Sequence, residues 1–322
     1  MAYLLRRLLH GALVLVGVSV LSFLFVQLAP GEFFSDMRLN PQVSPETIRH
    51  LRAQYGLDRA LPIRYVRWAR SVAKGDWGYS FAYGLPVSKL IWSRARNTLL
   101  LTITSALLAW LISIPLGIYA AERRDRWGDR VTVAGSSALL TVPDLLLALA
   151  LLILAIRTNA FAAGGMTSPD FAELGTVAKI KDVAAHFTLP LAALVLGTLP
   201  IFFRHVRASM IEALALPSIQ SARAHGIPRS RILFRYALPA AANPLISLFG
   251  FSIATLLSAS LLVEVVMSWP GLGPMLLEAI LARDLYVVIG AVMLSTFFLV
   301  AGNLVADVLL YLSDPRIRRG PA

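Results

Sequence analysis

The stretch TLLLTITSALLAWLISIPLGIYAA, residues 98–121, contains no charged side chain, and it decides the fold class of this chain. A helix needs about 20 apolar residues to cross the hydrocarbon core of a bilayer. Five further stretches meet that requirement, near residues 8–29, 131–157, 187–206, 243–266 and 286–312. We therefore predict an all-α integral membrane protein with six transmembrane helices. The fourth is the weakest, because it is interrupted by Pro190, Gly197 and Pro200.

The composition agrees with a membrane protein surrounded by lipid. Hydrophobic residues make up 57% of the chain and charged residues 15%, which leaves too little polar surface to cover a soluble core. No segments of about 10 residues alternate in polarity as the strands of a membrane barrel do. The net charge of +12 does not indicate nucleic acid, because much of the arginine flanks apolar runs. The absence of cysteine excludes disulfides and thiolate metal sites.

The distribution of Lys and Arg predicts the orientation, since short cytoplasmic loops are rich in both. One side carries arginine clusters at residues 6–7, 123–130, 204–235 and 316–319. The short loops of the other side contain little more than Lys179, Lys181 and Arg283. We expect both termini to be cytoplasmic. The first apolar run, from about Leu8 to Ala29, is too long for the core of a cleaved signal and is expected to be a retained span.

Residues 30–97 are then extracytoplasmic although they contain eleven Lys and Arg, because long loops cross the membrane largely regardless of charge. Two helices are predicted in this segment. The first begins with Ser44 as its cap and Pro45 at its first position. The second is PIRYVRWARSVAKG, which ends at Gly75. The alternative is a disordered linker, which the aromatic content disfavours. The domains are therefore predicted at 1–29, 30–97, 98–312 and 313–322, the last a cytoplasmic tail.

Motifs for enzymatic chemistry are missing from the sequence. It has no phosphate-binding G-x-x-x-x-G-K-[ST], no H-E-x-x-H and no G-x-S-x-G. We expect a chain without catalytic residues, bound metal or bound cofactor. Ionisable residues within the spans mark functional sites by default, and they are Asp144, Glu264 and Asp307.

Glu264 stands just before the sequence MSWPGLG, near the predicted outer end of the fifth span. Together with Trp269, Pro270 and Gly271 it forms a candidate gate, and Asp144 is a further candidate for the translocation path. Two structural alternatives stay open. Glu264 could reach interfacial water at a helix end, and Asp144 could satisfy a helix turn opened by Pro143.

A basic segment, PSIQSARAHGIPRSRILFRYALP, lies between the fourth and fifth spans. Pro217 predicts the start of a short helix and Gly226 its left-handed stop. A second helix is predicted from Arg229 to Leu238, with its end at Pro239. A solvated loop would need only the arginines, so the alternation of helix, glycine and proline favours a docking element for a soluble partner.

This segment resembles the EAA loop of bacterial ABC-importer permeases. Gly226 fits the glycine of that pattern, and residues 236–239 fill its I-x-L-P positions. The wider superfamily has Glu and Ala where this chain has Gln220 and Ser221, and SARAHG resembles the ARAKG-type variant of the peptide-permease branch. The resemblance implies an ATPase-coupling loop at about 207–239, with Gln220, Ser221, Ala222, Arg223, His225, Gly226, Arg229, Leu238 and Pro239.

Further stretches are similar to dipeptide and oligopeptide permeases, so the resemblance covers nearly the whole chain. They are QYGLDRALPIRYVRWARSVAKGDWGYSF, WPGLG, ILARDLYVV and DPRIR. One departure lies after the first span, where these permeases usually have P-G-D-P and this chain has PGEF, residues 30–33.

The resemblance implies a type I ABC importer permease in a bacterial cytoplasmic membrane, working by alternating access. Its implied partners are a second homologous permease, two cytoplasmic ATPases that hold ATP and Mg²⁺, and an extracytoplasmic solute-binding protein. Peptide is the default substrate, although relatives also carry nickel or glutathione. Two other classes stay open: an ion-coupled secondary transporter, which would show internal repeats and coupling-ion residues, and a non-transporting membrane scaffold.

Overall fold

A computed structural model describes residues 2–28 and 59–313, together with Ser44 and Glu46. Apart from Ser44 and Glu46, the predicted helix beginning at Ser44 lies outside the described residues, as do the PGEF and DPRIR sequences. The chain divides into two compact units. Unit 1 contains residues 1–97 and 270–297, and unit 2 contains residues 98–269 and 298–322.

The described residues are mostly helical. In chain order the helices are α1 (Ala2–Leu28), α2 (Leu61–Ala73), α3 (Val87–Glu122), α4 (Trp127–Leu140), α5 (Asp144–Thr158), α6 (Thr176–Leu214), α7 (Pro217–Ala224), α8 (Arg229–Arg231), α9 (Leu238–Ala240), α10 (Ala242–Val266), α11 (Leu272–Leu281) and α12 (Leu285–Ser313). A 3-10 turn covers Pro169–Glu173, and a π-helical turn, Ile232–Ala237, lies between α8 and α9. Two short strands, β1 (Tyr79–Ser80) and β2 (Leu85–Pro86), pair antiparallel, with Tyr79 opposite Pro86.

Five of these helices are long and apolar enough to span a membrane: α1, α3, α6, α10 and α12. Helices α4 and α5 meet these criteria only as a pair bent by 94°, which makes a sixth span if the pair is counted as one. The predicted third span, residues 131–157, is therefore not one continuous helix. Pro143 explains the break, because a proline disfavours helical geometry at the residue before it.

Helix α6 continues through the positions where its sequence suggested interruption. It contains both Pro190 and Pro200 and runs for 39 residues. At 1.5 Å per residue it is roughly 58 Å long, about twice the thickness of the hydrocarbon core. Its ends therefore extend beyond the membrane.

Two apolar clusters lie in the part of unit 2 that the structure describes. In the first, the ring of Trp110 stacks on Phe202 with centroids 4.8 Å apart, and the Trp110 indole N–H donates to Ser252 Oγ over 3.3 Å. The second gathers buried side chains of α3, α5, α6 and α10 around Trp269. Helices α3 and α6 approach closely at Gly117, where an added Cβ would lie 2.6 Å from Val206 Cγ1. This packing holds the ends of these helices in fixed positions.

Unit 1 is built around Phe23, Trp68 and Ile289, which are buried together. The second predicted helix of the segment after the first span is present as α2. It ends at Ala73, and Gly75 has a left-handed φ of +86°. The hairpin that follows α2 is anchored by Asp284, whose Oδ2 accepts hydrogen bonds from Ser80 Oγ at 2.7 Å and from the Ala82 amide at 3.1 Å.

Candidate coupling site

Helix α7 forms one exposed face of the basic segment. Pro217 is at its start, where a missing amide hydrogen costs nothing. Ile219 is its buried side chain and packs into the first cluster of unit 2. The polar side chains of α7 face solvent: Gln220, Ser221, Arg223 and the adjacent His225. Ile219 therefore attaches α7 to the core, while the other side of the helix is a polar, cationic surface.

The end of α7 is a Schellman motif. The Gly226 amide donates to the Arg223 carbonyl over 3.0 Å, and the Ile227 amide donates to the Ala222 carbonyl over 3.3 Å. Gly226 has a φ of +74°, a region that favours glycine. The predicted left-handed stop is confirmed. The motif fixes the direction in which the chain leaves the helix, and His225 Nδ1 lies 2.8 Å from the Ser221 carbonyl beside it.

The second predicted helix is present but is not regular. Its middle is the π turn, in which the Leu238 amide donates to the Leu233 carbonyl five residues earlier. The predicted end at Pro239 is wrong, because α9 continues to Ala240. Proline has no amide hydrogen, and its ring normally clashes with a carbonyl of the preceding helical turn. The wider π turn before Pro239 gives its ring more room. Leu238 is half-buried against the first cluster, whereas Pro239 is exposed.

Two ion pairs surround this segment. Arg229, the first residue of α8, pairs with Glu122 at the end of α3. Arg207 of α6 forms a two-pronged pair with Asp129 of α4, with Nε to Oδ1 and Nη2 to Oδ2 both at 2.6 Å. The Asp125 amide also donates to Asp129 Oδ2 over 2.9 Å. One pair joins the start of α8 to the end of α3, and the other joins α6 to the first turn of α4.

The candidate gate is a buried turn at the end of α10. Glu264 and Trp269 are fully buried, and the Trp269 amide donates to the Glu264 carbonyl over 2.8 Å. The Trp269 ring contacts Phe187 with centroids 5.5 Å apart. The Met267 carbonyl accepts a hydrogen bond from the Gly165 amide at 3.0 Å, so the loop between α5 and α6 is hydrogen-bonded to this turn.

Pro270 and Gly271 belong to unit 1. The Asn97 side-chain amide donates to the Pro270 carbonyl over 2.8 Å. Gly271 is buried and directly precedes α11. The backbone of this pair is thus fixed by the start of one helix and by a side chain of another.

Asp144 lies at the start of α5 and packs against Gly197 of α6, where an added Cβ would be 2.5 Å from Oδ1. Gly197 and Phe187 are ten residues apart on α6, a separation of about 15 Å along its axis. The structure therefore does not bring Asp144 to the turn that contains Trp269.

Comparison with known proteins decides the family. Residues 113–319 match the family described as binding-protein-dependent transport system inner membrane component, and residues 1–102 match its N-terminal family. The chain belongs to this family of transport permeases. Chains from solved structures agree in fold: a chain of the inward-facing MetNI methionine ABC transporter matches with a TM-score of 0.57 at 17% identity, over 70% of this chain and 96% of that one.

Curated relatives match the permease over nearly its whole length. An oligopeptide transport system permease of Bacillus subtilis is 34% identical, over 98% of this chain and 99% of its own. A dipeptide transport system permease of Escherichia coli is 32% identical, over 98% of both chains. A glutathione transport system permease of Salmonella paratyphi A is 34% identical, over 98% of both chains. The permease is thus an all-α, multi-pass inner membrane protein with the type I ABC importer fold.

The sequence does not predict the Arg207–Asp129 and Arg229–Glu122 ion pairs. It indicates Arg207 only as one of the charges that set orientation, and it indicates no role for Glu122 or Asp129. Their partners are 107 and 78 residues away in sequence. The available signal was the position of Asp129 in the first turn of a helix, where an acidic residue is stabilised by the helix dipole. Among the described residues, no group of three His, Asp or Glu side chains could hold a metal ion.

Proposed function

We propose that the permease is one of two transmembrane subunits of an ATP-driven importer that moves peptides across the cytoplasmic membrane by alternating access. Support for peptides comes from the relatives, which are named for oligopeptide, dipeptide and glutathione transport. Glutathione is itself a tripeptide, so one substrate class covers all three. The second subunit is a homologous permease, and an extracytoplasmic binding protein delivers the substrate.

In this proposal two cytoplasmic ATPases hold ATP and Mg²⁺, while the permease binds neither and is not catalytic. The observation that carries the assignment is the surface of α7. Its solvent-facing side is cationic and held by Ile219, and its end is fixed by the Schellman motif at Gly226. The coupling site consists of Gln220, Ser221, Ala222, Arg223, His225, Gly226, Arg229, Leu238 and Pro239.

Motion of α7 has a physical route to the spans. Ile219 of α7 and Ile232 of the π turn are buried in the same cluster as Phe202 and Met210 of α6. Close-packed side chains transmit displacement because the interior has little free volume. A shift of α7 on ATPase closure would therefore displace α6 and, through the π turn, the start of α10.

The outer part of the path is proposed from burial. Glu264 and Trp269 are fully buried at the end of a span. With Pro270 and Gly271, which follow in sequence, they form the proposed gate. A buried carboxylate in a span marks a functional site by default. Asp144 is proposed as a separate residue of the path, since it lies about 15 Å from the turn along α6.

The decisive experiment replaces the glycine that ends α7. Gly226→Val places a β-branched residue at a φ of +74°, where it is strained by about 1–3 kcal/mol. We expect normal amounts of the variant in the membrane, loss of the ATPase subunits on affinity purification, and loss of peptide import. Gly226→Asn, which tolerates this conformation, should retain both.

Gly75→Val is the matched control. Gly75 also has a left-handed φ, +86°, and at both glycines an added Cβ meets no atom within 4 Å. The two substitutions impose similar backbone strain in different places. Retention of the ATPases by Gly226→Val, or their equal loss from Gly75→Val, would show that the segment is not the docking element.

A further inference from the structure

The exposed surface of α2 is apolar in its first half and cationic in its second. Ile63 is 53% exposed and Val66 46% exposed. Arg67 and Arg70 are exposed in the second half of the helix, and Lys74 directly follows its last residue. These residues line a single groove of about 560 Å³, together with Pro62 and Ser71. Neither half is covered by another described element.

The opposite face of α2 packs against α1, and the residues of α1 that it contacts belong to the apolar span. The Tyr65 hydroxyl lies 2.9 Å from Ser19 Oγ, and the Trp68 ring is 6.0 Å from that of Phe23. The apolar span of α1 covers Leu5–Val26, so Ser19 is seven residues, or about 10 Å, from its end. Helix α2 therefore packs beside a membrane span, within about 10 Å of its end, which is comparable to the depth to which interfacial helices bury their apolar faces.

No carboxylate is among the described residues that line the groove. In the part of the chain that the structure describes, no ion pair involves Arg67, Arg70 or Lys74. A second, smaller cavity adjoins the groove and is lined by Arg59, Arg64 and Arg67 among others; its acidic residue is Asp76, which accepts a hydrogen bond from the Gly78 amide. A cluster of this kind attracts an anion.

We propose that the groove on α2 binds an anionic phospholipid, with the phosphate at Arg67, Arg70 and Lys74 and the glycerol and upper acyl chains along Pro62, Ile63 and Val66. Amphipathic helices that lie in the membrane interface combine exposed apolar residues with Lys and Arg in this manner. Lipid explains both halves of the groove, whereas a free phosphate ion would leave exposed Ile63 and Val66 without a role. The proposal depends on the location of α2 and not on the transported substrate.

The test uses the purified transporter complex in nanodiscs and counts retained phosphatidylglycerol by native mass spectrometry. Discs of mixed phosphatidylglycerol and phosphatidylcholine provide the competition between anionic and zwitterionic lipid. In the variant Arg67→Gln/Arg70→Gln the preference for phosphatidylglycerol should fall about twenty-five-fold, since each basic residue near an anionic surface contributes about fivefold. Arg67→Lys/Arg70→Lys keeps the charge and should retain most of the preference.

Lys89→Gln/Lys181→Gln is the charge-matched control, because both lysines are exposed and lie outside the groove. It should retain the lipid as the unmodified protein does. Ile63→Asn/Val66→Asn should weaken lipid retention without a change in charge. Millimolar inorganic phosphate should not displace the lipid.

Three results would overturn the proposal. The first is unchanged lipid preference in Arg67→Gln/Arg70→Gln. The second is displacement by inorganic phosphate together with normal retention by Ile63→Asn/Val66→Asn, which would indicate a free anion site. The third is weaker binding of the solute-binding protein by Arg67→Gln/Arg70→Gln than by the unmodified protein in pure phosphatidylcholine discs, where no anionic lipid is present, which would indicate a protein-docking surface.

Discussion

The Asp129 carboxylate is almost completely buried, and it accepts both arms of the Arg207 guanidinium. Removing one partner of such a pair leaves the other without its charge-assisted hydrogen bonds. Since about a quarter of Arg207 is exposed, water offsets part of the loss. We expect Asp129→Ala to lower the free energy of unfolding by about 1–3 kcal/mol, measured as a lower melting temperature of the purified complex.

A double-mutant cycle separates this pair from other effects of the substitutions. Asp129→Asn/Arg207→Gln removes both charges, so it should cost less than the sum of the single changes. Arg124→Gln is the control, because its pair with Asp125 is exposed on both sides and contributes little. Additive single effects would mean that the pair does not couple α4 to α6.

At the scale of single residues, the sequence predicts local backbone geometry well. It predicts contacts between residues far apart in the chain poorly. The left-handed stop at Gly226 follows from local rules, since a short helix, a glycine and a nearby proline restrict the chain together. The Glu122–Arg229 pair could not be predicted in this way. It depends on the packing of helix ends far apart in sequence, and many exposed arginines were equally available. Asp144, predicted from its position in a span as a further candidate for the translocation path, similarly contacts Gly197 of α6.

Among the elements, the hairpin of β1 and β2 depends on one carboxylate. Asp284 Oδ2 accepts from Ser80 Oγ and the Ala82 amide, and all of Asp284 is buried. Asp284→Ala would leave a buried hydroxyl and a partly buried amide without an acceptor, at about 1–3 kcal/mol each. We expect faster amide hydrogen exchange across residues 79–86, with exchange in the spans unchanged.

A second contact of the hairpin gives the control for this element. The Tyr83 hydroxyl donates to Glu278, and burial together with that carboxylate raises the pKa of Tyr83. Tyr83→Phe removes an exposed contact and should change exchange much less than Asp284→Ala. Asp170→Ala alters an exposed turn of unit 2 and should have no effect on the hairpin. Equal exchange in all three variants would show that Asp284 does not anchor it.

The spans show which features of an element can be read from composition. Apolar runs of sufficient length identified α1, α3, α6, α10 and α12, because bilayer thickness sets a minimum length for any helix that crosses it. Composition could not predict the 94° bend between α4 and α5. Proline occurs in both cases, yet α6 continues through Pro190 and Pro200 while the chain breaks at Pro143. The difference depends on whether neighbouring groups satisfy the freed backbone, which is a property of packing.

For the whole molecule, orientation in the membrane is the property that sequence predicts and that only an experiment on intact cells can test. The arginine clusters of the short loops predict that both termini lie in the cytoplasm. The chain contains no cysteine, so single cysteines can be introduced one at a time without a background signal. Exposed positions suited to this test are Ala73, Ala172, Ser230 and Ser313.

An impermeant thiol reagent added to intact cells should label Ala73→Cys and Ala172→Cys, because α2 and the loop between α5 and α6 are predicted to be extracytoplasmic. It should label Ser230→Cys and Ser313→Cys only after the membrane is permeabilised, which serves as the control for reactivity. Ser230 lies in the coupling segment, so its position is the critical one. Labelling of Ser230→Cys in intact cells would place that segment outside, beyond the reach of any cytoplasmic ATPase, and would contradict the proposed coupling however well the family match holds.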